Sequence, residues 1–408
     1  MQENRMNDKK TMIFNGRVIT ETHIIEEGFV CIENGKITRI GRGKPEGEGF
    51  REIDARGNYI SPGFVDMHTH GIMDVDFMDS GVEDLQRGFI EYAKRGVTRV
   101  NGTLLSNPLE RIISQIAVIR EAREKSREGA LLHGVHVEGP YLAPRCRGGH
   151  ALEYLKHPEK NDVDRLLGET GGMIKTLTYA PELPGSDYLT EQLAGHGIVP
   201  VLGHTEASFE EAEAAILRGA RHVTHMYDTT MGYKEDPDEA LVMMPGMETA
   251  VLYHDEVSIE LIGCPVHVPK PFFKFIAKIK PRNKRIVVTD SLVGTGMPEG
   301  SIITYKDGRE VYVEKGVLRM IDDDPKVNGN LTGSAVTMNT ALRRLAEYAE
   351  LPVFEAVRWG SLNPATTLGI EKETGSIKIG KYGDIVIMDD NFKIKTTFLQ
   401  GRILYQGN

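Results

Sequence analysis

Cysteine is scarce in this sequence, and its distribution excludes the disulfide-stapled class of protein. The three cysteines, Cys31, Cys146 and Cys264, are far apart and form no Cys-x-x-Cys pair. Disulfide frameworks use an even number of cysteines and belong to oxidising compartments. The first ten residues are polar and charged and lack the apolar stretch of a secretory signal. We therefore expect a cytoplasmic protein with reduced thiols.

Long apolar runs and an excess of basic charge are also missing. No stretch approaches the ~18–20 apolar residues that a transmembrane helix needs. The chain has 49 basic residues against 59 acidic ones, a formal net charge of -10, and it contains no basic block. Proteins that bind nucleic acid usually present a basic surface. We therefore expect neither a membrane nor a nucleic acid as partner.

The middle of the chain alternates short apolar segments with amphipathic helical ones. No Gly-x-Gly-x-x-Gly opens a helix after the first strand, so a dinucleotide-binding fold has no specific support. Ser208 and Glu211 have the spacing of a capping box, which predicts a helix that ends near Gly219. Eight strand-like segments predict an α/β fold of the (β/α)8 TIM-like class: residues 63–68, 97–102, 134–138, 175–179, 199–203, 222–225, 257–261 and 286–290.

Both ends of the chain have the texture of short strands. The pairs Asn15-Gly16 and Asn34-Gly35 predict hairpin turns, because Asn-Gly tolerates a positive φ. We predict a small β-sandwich domain assembled from residues 1–60 and 376–408, around a catalytic barrel of residues 61–375. Two unrelated terminal β modules are the alternative.

Two histidines, His68 and His70, end the first apolar segment of the predicted barrel. Alternate residues of a strand point to the same side, so both imidazoles project from its carboxyl end. Neutral imidazole suits zinc, iron, copper or nickel. The pair alone also fits two polar residues at a strand end without a metal.

Later barrel strands end in further residues that can bind a metal. Glu138 ends one strand, and His204 and His225 end two others. Catalytic groups of such barrels collect at the carboxyl ends of the strands. A Glu/His/His set is enough for one divalent ion with an open position for water, and His68 and His70 can supply a second ion.

The last predicted strand ends in Asp290, which is followed by Ser291. An aspartate at this place is a metal ligand, a general base or both, or else a turn residue, since Asp-Ser is common in turns. Chance placement of one or two such residues at strand ends is ordinary, whereas five chance placements are improbable. The set therefore predicts a catalytic site.

These segments together resemble the amidohydrolase superfamily and, within it, the N-acetylglucosamine-6-phosphate deacetylases. The matching segments run in the family's order over nearly the whole chain: residues 62–71, 136–141, 203–207, 223–227, 288–290 and 331–335. The Glu-Gly-Pro step at residues 138–140 and the Gly-Ser-Ala segment at residues 333–335 are more diagnostic of this branch than His-x-His. The resemblance implies hydrolysis of the N-acetyl group of an amino sugar, N-acetylglucosamine-6-phosphate, to amino sugar phosphate and acetate.

The resemblance also assigns a metal centre. Glu138, His204 and His225 would bind the principal ion, and members with both His68 and His70 can hold a second one. It implies one or two divalent ions per subunit, zinc first, with iron or manganese as alternatives. It further implies a homodimer in which a neighbouring subunit completes the substrate site.

Catalytic and substrate-binding roles follow from the same resemblance. Asp290 would be the catalytic acid/base, and His267 would touch the sugar and help to polarise the amide carbonyl. His150 matches a histidine that contacts substrate. The family's phosphate-binding Asn-Ala pair falls on Asp228 and Thr229, and the family's downstream Arg falls roughly on Lys234, two residues early. Cys264-Pro265 replaces the family's Asp-Gly.

Two other functions stay open at the level of the sequence. The first is a different C–N hydrolysis on the same scaffold, acting on an unphosphorylated N-acetyl hexosamine, an N-acyl amino acid or a cyclic amide, or as a deaminase. The second is a non-enzymatic scaffold protein, whose expected signature is the loss of metal ligands. None of the ligand positions is lost.

Overall fold

A parallel eight-stranded barrel forms the centre of the computed structural model, which describes residues 10–235, 238–239, 241–305, 308–325 and 327–407, the side chains of residues 234 and 235 excepted. The strands pair in the order of the sequence: Phe64–Thr69, Val97–Leu104, Leu132–Glu138, Ile174–Tyr179, Val199–Leu202, His222–Val223, Ser258–Ile262 and Arg285–Val288. A bridge between Thr69 and Ser291 links the end of the first strand to the chain just after the eighth. The predicted (β/α)8 barrel is confirmed.

One helix follows each barrel strand along the chain, and two more precede the C-terminal strands. Their bounds are Val82–Ala93, Leu109–Lys125, Lys160–Glu169, Ser186–Gly195, Phe209–Arg218, Met247–Tyr253, Lys270–Ile279, Met338–Tyr348, Val353–Trp359 and Leu362–Thr367. Apolar side chains of strands and helices share one large core, in which Phe89, Val100 and Leu345 are buried. Within the described ranges, no helix is both long enough and apolar enough to cross a membrane.

The predicted helix start at Ser208 is confirmed. The Ser208 side chain accepts a hydrogen bond from the Glu211 amide, the Glu211 carboxylate accepts one from the Ser208 amide, and Gly219 follows the last turn. Such a box satisfies two amides that the helix itself leaves unpaired. The helix directs the chain into the short sixth barrel strand.

A second eight-stranded sheet contains strands from both ends of the chain. Its order is Arg402–Gln406, Ile394–Leu399, Ile385–Met388, Tyr59–Pro62, Lys10–Ile19, Ile24–Glu33 and Lys36–Arg42, with Arg51–Asp54 paired to Lys10–Ile19. Buried Ile13, Val30, Ile60 and Phe398 form its core. Both termini therefore contribute to one sheet. The exact division into residues 1–60 with 376–408 and residues 61–375 stays a prediction, and residues 1–9 lie outside the described part.

One of the two predicted turns is wrong. Asn34-Gly35 is a turn, with φ of 52° and 80°, between the paired residues Glu33 and Lys36. Asn15-Gly16 instead lies inside the strand Lys10–Ile19, where the register shifts on both sides of Gly16. The Asn-Gly pair serves a bulge here: Asn15 has a φ of 55°, and a Cβ at Gly16 would lie 2.7 Å from the side chain of Ile60.

A small antiparallel sheet is inserted between the eighth barrel strand and the helix that follows it. Its strands are Ile302–Thr304, Glu310–Glu314, Val317–Ile321 and Leu331–Ser334. Val293, Ile303, Val311 and Leu318 give it a core of its own. A bridge between Ser291 and Ser334 attaches this inserted sheet to the carboxyl end of the barrel.

Candidate active site

A cavity of about 110 Å³ lies at the carboxyl end of the barrel. Its wall contains nine of the residues singled out from the sequence: His70, Glu138, His150, His204, His225, Asp228, Thr229, His267 and Asp290. His68 is fully buried behind this wall. The side chain of Lys234, the remaining predicted substrate contact, lies outside the described part of the chain. The structure thus brings the predicted residues together, and their individual roles stay predictions.

The carboxylate of Glu138 occupies the centre of the site. Its Oε1 lies 3.2 Å from Nε2 of His204 and 2.9 Å from Nε2 of His225. These two imidazole nitrogens are only 3.0 Å apart. Three donor atoms from three different barrel strands or strand ends therefore converge on one small volume.

A second group of donors borders the first. Oδ1 of Asp290 lies 3.3 Å from Nε2 of His68 and 3.2 Å from Nε2 of His70. The same two nitrogens lie 3.4 Å and 3.3 Å from the carboxylate oxygens of Glu138. Glu138 therefore faces both groups of histidines, which is the arrangement that two neighbouring ion positions require.

Hydrogen bonds with main-chain groups orient His204 and Asp290 within the site. Nδ1 of His204 donates to the carbonyl of Cys146 at 2.8 Å, so its Nε2 presents a lone pair to the site. The Asp290 amide donates to the carbonyl of His68 at 3.0 Å, and Asp290 has a φ of 46°. Left-handed backbone at this position turns the carboxylate toward the histidines of the first strand.

Two further buried histidines near Glu138, His150 and His136, are hydrogen-bonded to neighbouring residues. The amide of Ser106 donates to Nδ1 of His150 at 3.2 Å, so the proton of this ring sits on Nε2, 3.3 Å from Glu138. His136 has both nitrogens within 2.9 Å of threonine hydroxyls on the fourth strand. His136 stacks on His68, with ring centroids 4.6 Å apart.

The electrostatics of the site favour cations. Burial lowers the pKa of His70 and His225, but hydrogen bonds and charges from Glu138 and Asp290 outweigh it and raise both values to about 9. Burial raises the pKa of Glu138, but the charge of His68 and hydrogen bonds from other histidines outweigh it, and this pKa lies well below its ordinary value. Protons are thus held where a divalent ion would compete for the same donors.

The donor set fits a divalent metal ion. Nε2 of His68 is buried without a hydrogen-bond partner. Ligand atoms of His68, His70 and Asp290 lie within 4.8 Å of one another. Imidazole with carboxylate suits zinc, iron or manganese, and a buried lone pair that no protein donor satisfies is a cost unless a cation takes it.

Sequence reasoning missed two sets of residues at this site. Glu260 on the seventh strand lies 2.6 Å from Nδ1 of His68, and His222 lies behind it. Tyr305 and Arg309 of the inserted sheet also line the cavity. A single acid within the apolar segment of residues 257–262 is the one signal that pointed to Glu260. Nothing near Arg309 in the sequence marks it as part of the site.

Comparison with known proteins gives a consistent family assignment. The model of the Amidohydrolase family matches residues 59–404. An N-acetylglucosamine-6-phosphate deacetylase of Haemophilus influenzae is 31% identical over 96% of this chain and 99% of its own. An N-acetylgalactosamine-6-phosphate deacetylase of Escherichia coli O157:H7 is 27% identical over 95% of this chain and 97% of its own.

A solved structure extends the likeness to three dimensions. The crystal structure of the N-acetylglucosamine-6-phosphate deacetylase from Pasteurella multocida superimposes with a TM-score of 0.86 at 26% identity, covering 98% of this chain and 100% of that one. The match thus includes the barrel and the sheet built from both termini. Because the family match spans the whole barrel and part of the terminal sheet, this chain belongs to the amidohydrolase family.

Proposed function

We propose that this protein is a metal-dependent deacetylase that hydrolyses N-acetylglucosamine-6-phosphate to the amino sugar phosphate and acetate. The convergence of Glu138, His204 and His225 in one cavity, with Asp290 at its edge, carries the proposal. Relatives of this activity match the chain over nearly its whole length. The test is acetate release from this sugar, its galacto epimer, unphosphorylated N-acetylglucosamine and N-acyl amino acids. Turnover of the N-acyl amino acids alone would refute the proposal.

Glu138, His204 and His225 would hold the principal ion, and His68, His70 and Asp290 a second one. When bound, a divalent cation supplies Lewis acidity and lowers the pKa of a coordinated water from about 15.7 to about 7. We propose zinc as this metal, since borderline-soft zinc takes imidazole and carboxylate ligands together. Metal analysis of the purified protein, with iron and manganese measured alongside, tests the assignment.

Asp290 moves the proton in the proposed reaction. Burial raises its pKa, but the charges of His68 and His70 outweigh burial and hold the pKa below its ordinary value, so the carboxylate is ionised at neutral pH. Asp290 accepts a proton from the water that attacks the amide carbon. It then passes this proton to the amine nitrogen as the C–N bond breaks, because an amine leaves only when protonated.

We propose that His267 stabilises the carbonyl oxygen during the attack. It is buried in the cavity wall, and its Nδ1 has no hydrogen-bond partner among the described residues. A donor aimed at the position where charge develops is often worth ~3 kcal/mol. His150, which also lines the cavity, would contact the sugar, and Asp228 and Thr229 border the same space.

Arg309 is the proposed partner of the substrate's anionic group. It is the one arginine or lysine of the cavity wall among the described residues, and it is exposed. Replacing Arg309 with methionine is expected to raise KM for the phosphorylated substrate roughly 10-fold or more, because a charge-assisted hydrogen bond is lost. KM for unphosphorylated N-acetylglucosamine should not change. Steady-state kinetics on both sugars measure the difference.

Arg145 offers a matched control for this experiment. It is exposed, pairs with Glu206 at 2.8 Å and lies outside the cavity wall. Arg145→Met should leave both KM values unchanged. Equal KM increases for both sugars in Arg309→Met would show that Arg309 shapes the wall and does not recognise the anion.

We further propose a homodimer, built around the hairpin of strands Tyr233–Glu235 and Met243–Pro245. Tyr233, Val242 and Met243 are 58%, 48% and 65% exposed on it. Exposed apolar patches of this kind mark association surfaces. The hairpin follows Asp228 and Thr229 of the cavity wall, so a partner seated there would border the substrate site.

Met243→Glu is expected to shift the protein toward monomer, because a charge would be buried in the interface. Light scattering coupled to size-exclusion chromatography measures the mass. Leu217→Glu is the control, since Leu217 is 73% exposed on the helix Phe209–Arg218, away from the hairpin in the sequence. A dimer that persists in Met243→Glu, or a wild-type monomer, would contradict the proposal.

We propose a cytoplasmic location because the cysteine thiols form no disulfide bonds. Cys31, Cys146 and Cys264 are all free and buried. Free buried thiols are typical of reducing compartments. Cell fractionation with a cytoplasmic marker enzyme tests the location.

A further inference from the structure

Glu260 is a fully buried carboxylate directly behind the candidate metal centre. Its Oε1 accepts hydrogen bonds from Nδ1 of His68 at 2.6 Å, from the hydroxyl of Thr224 at 2.7 Å and from the amide of His225 at 2.9 Å. Its Oε2 lies 3.0 Å from Nε2 of His222. Four partners from the first and sixth strands and their ends therefore meet on one side chain of the seventh strand.

Burying an ionised carboxylate costs free energy, and the packing of the strand Ser258–Ile262 does not require a charged side chain at this position. Ile259, Leu261 and Ile262 are fully buried apolar neighbours in the same strand. An ionised group in such surroundings is stable only when its partners satisfy it. All the partners of Glu260 belong to the segments that carry His68 and His225, so its contacts are directed at the site.

The contact with His68 fixes the tautomer of that ring. Because Nδ1 donates its proton to Glu260, a neutral His68 ring carries its lone pair on Nε2, and this atom faces Glu138 at 3.4 Å and Asp290 at 3.3 Å. The ring is buried, and Nε2 has no other partner. A carboxylate on the far nitrogen also makes an imidazole a stronger ligand.

The contact with His225 acts through the main chain. The His225 amide donates to the same Oε1 that accepts from His68, and the His225 ring reaches Glu138 at 2.9 Å. Thr224, the preceding residue, donates its hydroxyl to that oxygen as well. Glu260 thus ties the end of the sixth strand to the imidazole of the first.

We infer that Glu260 is a positioning residue that couples the two ion positions, orienting His68 for one and His225 for the other. The inference rests on the proposed metal-dependent function. A glutamine at this place keeps one acceptor oxygen but removes the negative charge, so the hydrogen bonds from His68, Thr224 and the His225 main chain become weaker. His68 then has a weaker preference for the tautomer with a free Nε2, and the main chain at His225 is anchored less firmly.

The experiment measures metal affinity rather than activity. Wild type and Glu260→Gln are dialysed against graded zinc buffers, and bound zinc is counted by elemental analysis. We expect the zinc affinity of both positions to fall roughly 10- to 100-fold, the range typical when a metal ligand loses its hydrogen-bond partner. Wild-type affinity at both positions in a folded Glu260→Gln would overturn the inference. A wild-type protein that binds no metal would refute the proposed function itself.

Asp384 provides a matched control. It is also a buried carboxylate with several partners, Arg99 at 2.9 Å, Thr374 at 2.7 Å and the amide of Gln400 at 2.8 Å, but it touches none of the site histidines. Asp384→Asn should lower thermal stability and leave zinc affinity unchanged. Equal zinc loss in both variants would mean a general effect of destabilisation and would overturn the inference.

Thr224→Val keeps the test decisive if Glu260→Gln does not fold. Valine preserves the shape of threonine and removes only the hydroxyl that donates to Glu260 and lies 3.0 Å from Nδ1 of His68. A several-fold loss of zinc affinity is expected from this smaller change. Unchanged affinity in Thr224→Val would count against the positioning role.

Discussion

Replacing Asp290 with asparagine is expected to lower kcat by roughly 10²- to 10⁴-fold, the range for loss of a general acid–base group. The carboxylate lies 3.3 Å and 3.2 Å from the Nε2 atoms of His68 and His70, where a reacting water would sit. An asparagine amide cannot take the proton from that water or return it to the leaving amine. Initial rates at saturating substrate and zinc measure the loss.

Asp228→Asn is the matched control for this change. Asp228 is another aspartate of the cavity wall, and its carboxylate pairs with no histidine ring among the described contacts, so the same isosteric swap is made there. We expect kcat to stay within a few-fold of wild type, with a lower KM for the phosphorylated sugar because a repulsive charge is removed. Near-normal turnover in Asp290→Asn, with zinc content unchanged, would refute the assigned role.

Glu138→Gln is expected to abolish both metal binding and activity, with a loss of more than roughly 10⁴-fold in rate, since the activation of water is lost. Both oxygens of Glu138 face imidazole nitrogens at 2.9–3.4 Å. A neutral amide turns one of these oxygens into a donor and removes the charge that balances the cation. Chelator-treated wild type should lose activity similarly.

Adding zinc back distinguishes the Glu138→Gln variant from the chelator-treated wild type. It should restore the chelator-treated wild type but not Glu138→Gln, with bound zinc and acetate release measured on the same samples. Glu206→Gln is the control, because Glu206 pairs with the exposed Arg145 and contacts no site histidine. Wild-type zinc stoichiometry in Glu138→Gln would contradict the central place given to this carboxylate.

The barrel could be predicted from the sequence because its strands are short apolar runs that end in chemically distinctive residues. The fifth strand, predicted at residues 199–203, is Val199–Leu202, and the helix after it begins at the predicted cap, Ser208. Local signals of this kind depend on neighbours in the chain. The clustering of Glu138, His204, His225 and Asp290 then follows from barrel geometry, since all lie at or just after the carboxyl ends of strands.

The parts that could not be predicted depend on contacts between distant segments. Glu260 meets His68 across 192 positions, and no local pattern distinguishes it from an ordinary polar residue of a strand. Arg309 reaches the cavity only because the inserted sheet attaches to the barrel rim at Ser291. The turn predicted at Asn15-Gly16 is wrong for another reason. The pair indicates a positive φ, and a bulge uses a positive φ as well as a turn does.

The closure of the barrel between its first and last strands has a consequence for how the enzyme fails. The amides of Asp290 and His70 donate to the carbonyls of His68 and Ser291, at 3.0 Å and 2.8 Å, so the seam of the cylinder runs through the candidate active site. The distance between Asp290 and the histidines of the first strand therefore depends on interstrand register. We expect local opening of this seam to separate Asp290 from these histidines before the molecule unfolds, so that parallel thermal ramps show activity lost at a lower temperature than the circular dichroism signal.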